Sequence, residues 1–266
     1  MNFHPITLAA LATVLTATLA HAANAPALNA KQIYERSIST ERVNDWQAES
    51  TLEIRQGDRA RVRGGMVYNK LQSDGVRSRR LFRFRTPVDI SGTAVLVHEN
   101  TGGEDDLWIY FPSMAKTRRI LASNKKDSFM GSDFSYADLM AQDTSNFVQE
   151  LLPEEACGQA RCYRIQSTPR DEKIAASLGY AKIVASIRTD QFTTMQVRYY
   201  DRDGNEFKQQ LISGYVPAAG QAGRFVATRR EMIMSKGGRR SVLVLKNVDA
   251  ARSLSPDQFV ESRLGR

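Results

Sequence analysis

Trp108-Ile-Tyr-Phe-Pro112, Lys116-Thr-Arg-Arg-Ile120 and Ser128-Phe-Met-Gly-Ser-Asp-Phe-Ser-Tyr-Ala-Asp-Leu139 follow one another in this chain and decide how it reads. Trp, Tyr, Phe and Met crowd around one Gly and two Asp, directly after a strand-like run. The block holds no His, no Cys and no phosphate loop. Such a composition describes an apolar receptacle with a polar mouth rather than a reaction centre.

Outward from that block the chain alternates. Trp46, Ala48, Ser50, Leu52 and Ile54 interleave with Gln47, Glu49, Thr51, Glu53 and Arg55, the period of two of a strand wet on one side. Past the Gln56-Gly57-Asp58 turn, Ala60, Val62, Gly64, Met66 and Tyr68 share a phase, and Arg59, Arg61 and Arg63 take the other. Phe82 and Phe84 alternate with Arg79, Arg83 and Arg85, with Leu81 on the basic side. Residues 90–98 and 105–112 read as a hairpin, and Leu107–Phe111 is apolar on both faces, as expected of a strand covered on both sides. Residues 123–145 break the alternation, with one or two turns of helix over Ser135–Met140 capped by Ser135 or Asp133, and Asp133 and Asp138 read as helix-capping carboxylates. The C-terminal half is a meander turned by Asp201-Arg-Asp-Gly-Asn205 and Lys236-Gly-Gly238, with Phe207 and Leu211 read as inward. An amphipathic helix over 29–43, capped by Asn29, precedes the strands, and a short helix after Ser255-Pro256 ends them. One helix followed by many meandering strands, broken once by a helical insertion, predicts a mainly β chain: a strongly curved antiparallel sheet or open barrel.

The bulk composition narrows the setting. Ile6–Leu19 is apolar and ends at Ala20-His21-Ala22, a small-x-small cleavage signal, so residues 1–22 read as an export leader and 23–266 as a single exported domain. The net charge is +8 with no charged side chain in the leader, so the exported domain carries all of it. Outside the cytoplasm this points to anionic head groups or an acidic protein surface and argues against nucleic acid. Cys157 and Cys162 flank a Gly-containing turn, which in an oxidising compartment reads as a disulfide across a hairpin. His98 is the one His beyond the leader, which excludes a multi-His zinc site and leaves a Ser-His-Asp triad one possible base. No nucleophile elbow or nucleotide motif is present, so the expectation is a non-enzyme without cofactor or metal.

Pro87-Val-Asp-Ile-Ser-Gly-Thr-Ala-Val-Leu-Val97, Asp106-Leu-Trp-Ile-Tyr-Phe-Pro112, Arg118-Arg-Ile120 and Ser128–Leu139 together resemble the outer-membrane lipoprotein-sorting family, the LolA-like carriers. Their nearest likeness is to the branch associated with resistance-nodulation-division exporters. The resemblance implies an incomplete antiparallel barrel around an apolar cavity, helices acting as a lid, and periplasmic carriage of a lipid or of lipoprotein acyl chains. On this reading Leu52, Ile54, Met66, Tyr68, Phe82, Phe84, Trp108 and Tyr110 line the cavity. Phe129, Met130, Gly131, Phe134, Tyr136 and Leu139 form the lid, and Gly131 supplies backbone angles closed to other residues. Arg59, Arg61, Arg63, Arg79, Arg83 and Arg85 form a basic outer face, and Lys116, Arg118 and Arg119 a second cluster near the mouth, both suited to lipid phosphates or an exporter's acidic loops. A second reading keeps the fold but makes the basic face the working surface of an accessory or sensor module that carries nothing.

Overall fold

A computed structural model describes residues 27–100 and 103–266. The leader expected over 1–22 lies outside the described residues. Thirteen strands form one antiparallel sheet. They are β1 (Trp46–Gln56), β2 (Arg59–Leu71), β3 (Ser78–Thr86), β4 (Ala94–His98), β5 (Asp106–Phe111), β6 (Lys116–Ile120), β7 (Phe147–Cys157), β8 (Ala160–Pro169), β9 (Lys182–Arg188), β10 (Thr194–Tyr200), β11 (Glu206–Pro217), β12 (Phe225–Met234) and β13 (Arg239–Asp249). Their spatial order is β6-β5-β4-β3-β2-β1-β13-β12-β11-β10-β9-β8-β7. The chain therefore walks outward from β1 to the edge strand β6, crosses through residues 121–146 to the opposite edge at β7, and walks back until β13 pairs with β1. Among the described residues β6 and β7 do not pair, so the curled sheet stays open, as the alternation predicts.

The sheet's inner face holds the main core. Trp46, Ala48, Leu52 and Ile54 of β1 are buried with Val67, Phe82, Phe84, Val95 and Ile109, and with Ile183, Ile187, Ile212 and Met232 from the returning half. α1 (Ala30–Thr40) packs Ile33 and Tyr34 into the same core. Its N-terminus is closed by a capping box: Asn29 Oδ1 accepts from Gln32 N at 2.9 Å, and Gln32 Oε1 accepts from Asn29 N at 3.0 Å. A second helix, α2 (Glu172–Leu178), escapes the period analysis because it is only seven residues long. Its signal is nevertheless present: Asp171 accepts from Ile174 N, and Gly179 ends it in the left-handed region at φ 79°. Cys157 and Cys162 form the expected disulfide across the β7–β8 turn, with Cα atoms 5.9 Å apart.

The outer face of β2–β5 is not bare. The C-terminal segment, residues 250–266, folds back as two short 3-10 turns. It buries Leu254, Phe259 and Leu264 on Leu81, Ala94 and Leu96, with Tyr68, Trp108 and Tyr110 alongside. Arg83 donates to the carbonyls of Leu264 (3.0 Å) and Arg263 (3.1 Å). His98 Nε2 donates to the Phe259 carbonyl at 2.7 Å, and its ring meets the Trp108 ring edge-on at 4.9 Å. This strap explains why Leu81 stands in a basic phase: the outer face has an apolar cover of its own. On β11 the inward residues are Lys208, Gln210 and Ile212, while Leu211 is 38% exposed, contrary to the expectation. Phe207 is the extra residue of a bulge opposite Tyr199–Tyr200, which resets the phase.

Phe259 is fully buried, so Phe259→Ala should cost about 3 kcal/mol. The loss should register as a lower urea midpoint together with a red shift of Trp108 fluorescence as the strap loosens. Burial lowers the His98 pKa, Arg79 lowers it further, and the Phe259 carbonyl opposes both. A depressed imidazole favours the neutral folded form, so stability is full above the unfolded value of about 6.5 and declines as pH falls through and below it. A urea series against pH should show that slope in the parent and a flatter one in His98→Gln.

Candidate functional site

The segment that crosses from β6 to β7 occupies the hollow of the sheet. Phe129 is 1% exposed and sits on Phe82 and Phe84, with ring centroids 5.2 and 6.1 Å away, and Tyr136 closes on it edge-on at 5.7 Å. Phe134, Tyr136 and Leu139 are buried in the same core and Met130 packs against it. The backbone reverses through two consecutive left-handed residues, Met130 at φ 52° and Gly131 at φ 73°. Glycine takes that conformation freely; Met130 takes it at a cost that the packing around Phe129 must offset. All six residues expected in the lid thus belong to one plug inside the sheet.

Polar pins hold the plug. Asp133 pairs with Arg239 (3.0 Å) and accepts from Ser241 Oγ (2.7 Å), while Asp133 N donates to Ser241 Oγ (2.9 Å). Asp138 pairs with Lys208 at 2.6 Å, and both side chains are nearly excluded from solvent. Lys208 also lies 4.5 Å from the Tyr199 ring centroid, a cation–π contact. Arg80 donates to the Leu139 carbonyl, and Glu99 accepts from Ala141 N (3.0 Å) while pairing with Arg42 (3.3 Å). Neither Asp133 nor Asp138 caps a described helix, contrary to the expectation: Asp138 accepts from Ser135 N, upstream of it, at 2.7 Å, and its larger role is the ion pair. Burial pushes the Tyr136 hydroxyl up to about 12, with Asp127 adding to the shift. Burial also drives Tyr180, Tyr199 and Tyr215 well above the ordinary phenol value; Tyr199 donates to Gln210 and Tyr215 to Glu41, whereas Tyr180 accepts from Gln142.

Between the plug, α1 and the sheet remains a cavity of about 200 Å³. One part of its wall is apolar: Trp46, Val67, Phe82, Ile183, Val197, Ile212 and Leu243. The other carries Glu41, Arg42, Arg80, Glu99, Gln210 and Arg230. Glu41 bonds Arg230 and the Tyr215 hydroxyl, and Arg42 bonds Glu99. Arg80 donates to Asn69 Oδ1 (3.3 Å) and to the plug carbonyl, with no carboxylate in ion-pair range among the described residues. The sequence reading put an apolar receptacle behind a polar mouth; in the structure charged groups stand in the cavity wall itself. A larger groove, about 960 Å³, opens where α1, α2 and residues 140–147 face the turns at 75–77 and 103–105.

Four of the eight expected lining residues, Leu52, Ile54, Phe82 and Phe84, point to the inner side of the sheet, and of these Phe82 lines the cavity itself. Met66, Tyr68, Trp108 and Tyr110 do not. Val67 is the β2 residue that packs inward, so Met66 and Tyr68 point out, and Tyr68, Trp108 and Tyr110 lie beneath the C-terminal strap. The arginines likewise form no single face. Arg61 and Arg63 stand opposite Ile54 and Leu52 and share their side of the sheet, with Arg59 in phase. Arg79 and Arg83 flank Leu81 on the outer side, and Arg85 is the extra residue of a bulge opposite Gly64–Gly65. In β6, Arg118 opposite Ile109 and Lys116 opposite Phe111 face inward at the rim, whereas Arg119 turns out to Asp106. Sequence reasoning missed Arg80, Lys208, Arg230 and Arg239. The available signal was a cation standing in an apolar phase, as Arg80 does two residues before Phe82.

A family model described as uncharacterized protein-like matches residues 77–266, and the chain belongs to that family. No curated protein matches the sequence. Among solved structures, the chain is similar to an outer membrane lipoprotein-sorting protein domain from Vibrio parahaemolyticus, at 24% identity and a TM-score of 0.81, covering 89% of this chain and 98% of that one. It is also similar to a DUF1329 family protein from Desulfovibrio piger, at 26% identity and a TM-score of 0.80, covering 88% and 97%. A LolA superfamily protein from Nitrosomonas europaea follows at 19% identity and 0.67, covering 89% and 99%. The fold is that of the LolA-like lipoprotein-sorting proteins, as the central block implies.

The buried Asp138–Lys208 pair yields a direct check. Asp138→Leu leaves Lys208 uncompensated in the core and should destabilise the protein by roughly 3–5 kcal/mol in chemical denaturation. Adding Lys208→Met should recover most of that loss.

Proposed function

We propose that this protein is a periplasmic carrier that binds the acyl chains of a lipid or lipoprotein inside the curled sheet and moves them between envelope sites. The observation that carries this reading is the plug: a separate segment, rather than the sheet's own closure, fills the hollow with Phe129 on Phe82 and Phe84. An acyl chain offers the same surface to those rings. Each buried CH₂ contributes about 0.8 kcal/mol, so a sixteen-carbon chain is worth roughly 12 kcal/mol before the costs of binding. The cavity of about 200 Å³ is below the ~300–1,000 Å³ range of ligand pockets, so loading requires residues 127–141 to move aside. The pins at Asp133, Asp138 and Leu139 are polar contacts, which water can replace as the plug swings out. The charged wall at Arg80, Arg42, Glu99 and Arg230 then offers the polar head of an amphiphile hydrogen bonds that an all-apolar cavity could not.

Carriage of this kind involves binding and release without covalent chemistry. Its energy comes from a membrane partner, and a resistance-nodulation-division exporter is the partner proposed from the sequence likeness. An accessory module working through one basic outer face is the weaker reading, because the arginines divide between the two faces and Arg83 is engaged by the C-terminal carbonyls.

Cross-linking the plug to the sheet tests the carrier directly. Asp133→Cys with Ser241→Cys, joined by a short bifunctional thiol reagent, should abolish uptake of a fluorescent fatty-acyl probe, with uptake returning when the link is cleaved. Uptake at the uncrosslinked rate with the link intact would rule the plug out as the element that moves. Phe82→Glu should lower probe retention at least tenfold in the uncrosslinked protein.

A further inference from the structure

The three hairpin connections of the first half-sheet lie side by side at one end: the β1–β2 turn at Gly57-Asp58, residues 87–93 between β3 and β4, and Pro112–Ala115 between β5 and β6. The last two are in contact, since a Cβ built on Gly92 would lie 3.4 Å from Pro112 Cγ. Strand pairing between β2 and β3 stops at Gly64–Thr86, so the β1–β2 hairpin overhangs its neighbour by the five residues Arg59–Arg63.

Two kinds of side chain project from this end. Val88 is 92% exposed at the tip of its 3-10 turn, Met114 is 44% exposed at the next turn, and Val62 is 51% exposed on the overhanging hairpin. Around them Arg59, Arg61, Arg85, Lys116 and Arg118 are all exposed, and none makes an ion pair among the described residues. Lys236 extends the row at the β12–β13 turn, against Asp58 and Asp89 as the carboxylates of these turns. Elsewhere exposed cations are commonly matched, as Arg161 is with Glu154 and Arg263 with Asp257. Apolar tips ringed by unmatched cations are the chemistry of an interfacial anchor: the tips enter the head-group boundary and the cations meet lipid phosphates.

We propose that this end of the sheet docks on an anionic lipid bilayer. The surface is distinct from the interior cavity and stands on the turns and their charges alone. It also gives the plug an orientation, because Arg63 on the overhanging hairpin reaches the plug at Gly131, where a Cβ would lie 3.7 Å from its guanidinium. A docked bilayer would therefore lie against the end of the sheet where the plug reverses.

Vesicle co-sedimentation of the purified full-length chain tests this, with phosphatidylglycerol–phosphatidylethanolamine vesicles compared with phosphatidylcholine alone. Binding is expected to the anionic vesicles only and to weaken with salt. Each cation reversed in the set Arg59→Glu, Arg61→Glu and Lys116→Glu should reduce it by roughly fivefold or more. Val88→Ser with Met114→Ser should also reduce it, while leaving the melting curve unchanged because both side chains are exposed. Fatty-acyl probe retention by the Val88/Met114 variant should stay at the parent level, so loss of docking and loss of carriage are read separately. No binding to anionic vesicles at low salt, equal binding to phosphatidylcholine, or parent-like binding by the Val88/Met114 variant would each overturn the proposal.

Discussion

A curled antiparallel sheet that does not close must cover its concave face with something other than itself, and in this chain the segment between the two edge strands does so. The plug's position follows from topology. The chain has to travel from the β6 edge to the β7 edge, and the hollow lies between them. Placing Phe129, Phe134, Tyr136 and Leu139 on that crossing buries them and completes the core in one step. Everything else in the molecule answers this arrangement. α1 closes the flank, the strap covers the outer face, and the charged pairs fix where the crossing segment rests.

Apolar and polar contacts divide the labour in a way that suits a removable cover. The apolar contacts are non-directional and would be remade with any hydrocarbon of similar area. The polar contacts at Asp133, Asp138 and Leu139 are directional and set one register for the closed plug. A buried ion pair such as Asp138–Lys208 adds little net stability over an apolar substitute, so its value here lies in fixing position. Met130, held at φ 52°, keeps the reversal under strain.

Where one face of a strand was wet, the sequence was readable. β1 shows its inward set as alternating residues, and β3 does so through Phe82 and Phe84. The central block marked the plug because so dense an aromatic and Met content has no place in a solvent-exposed crossing. Reading failed where both faces are covered. Met66, Tyr68, Trp108 and Tyr110 are as apolar as inward residues, yet three of them pack beneath a strap contributed by residues far along the chain. Hydrophobic phase cannot say which of two apolar faces is the inner one; cross-strand partners decide that, and Arg61 and Arg63 opposite Ile54 and Leu52 show the result. The internal cations Arg80, Lys208 and Arg230 were hidden for a related reason: their acidic or carbonyl partners come from other elements and cannot be paired by local spacing.

Whether the hollow holds cargo is tested most directly by native mass spectrometry of the gently purified protein. A bound mass is expected that collisional activation releases and that lipid analysis identifies as a phospholipid, another lipid or an acylated peptide. A clean unliganded mass that persists after incubation with envelope lipids would contradict it.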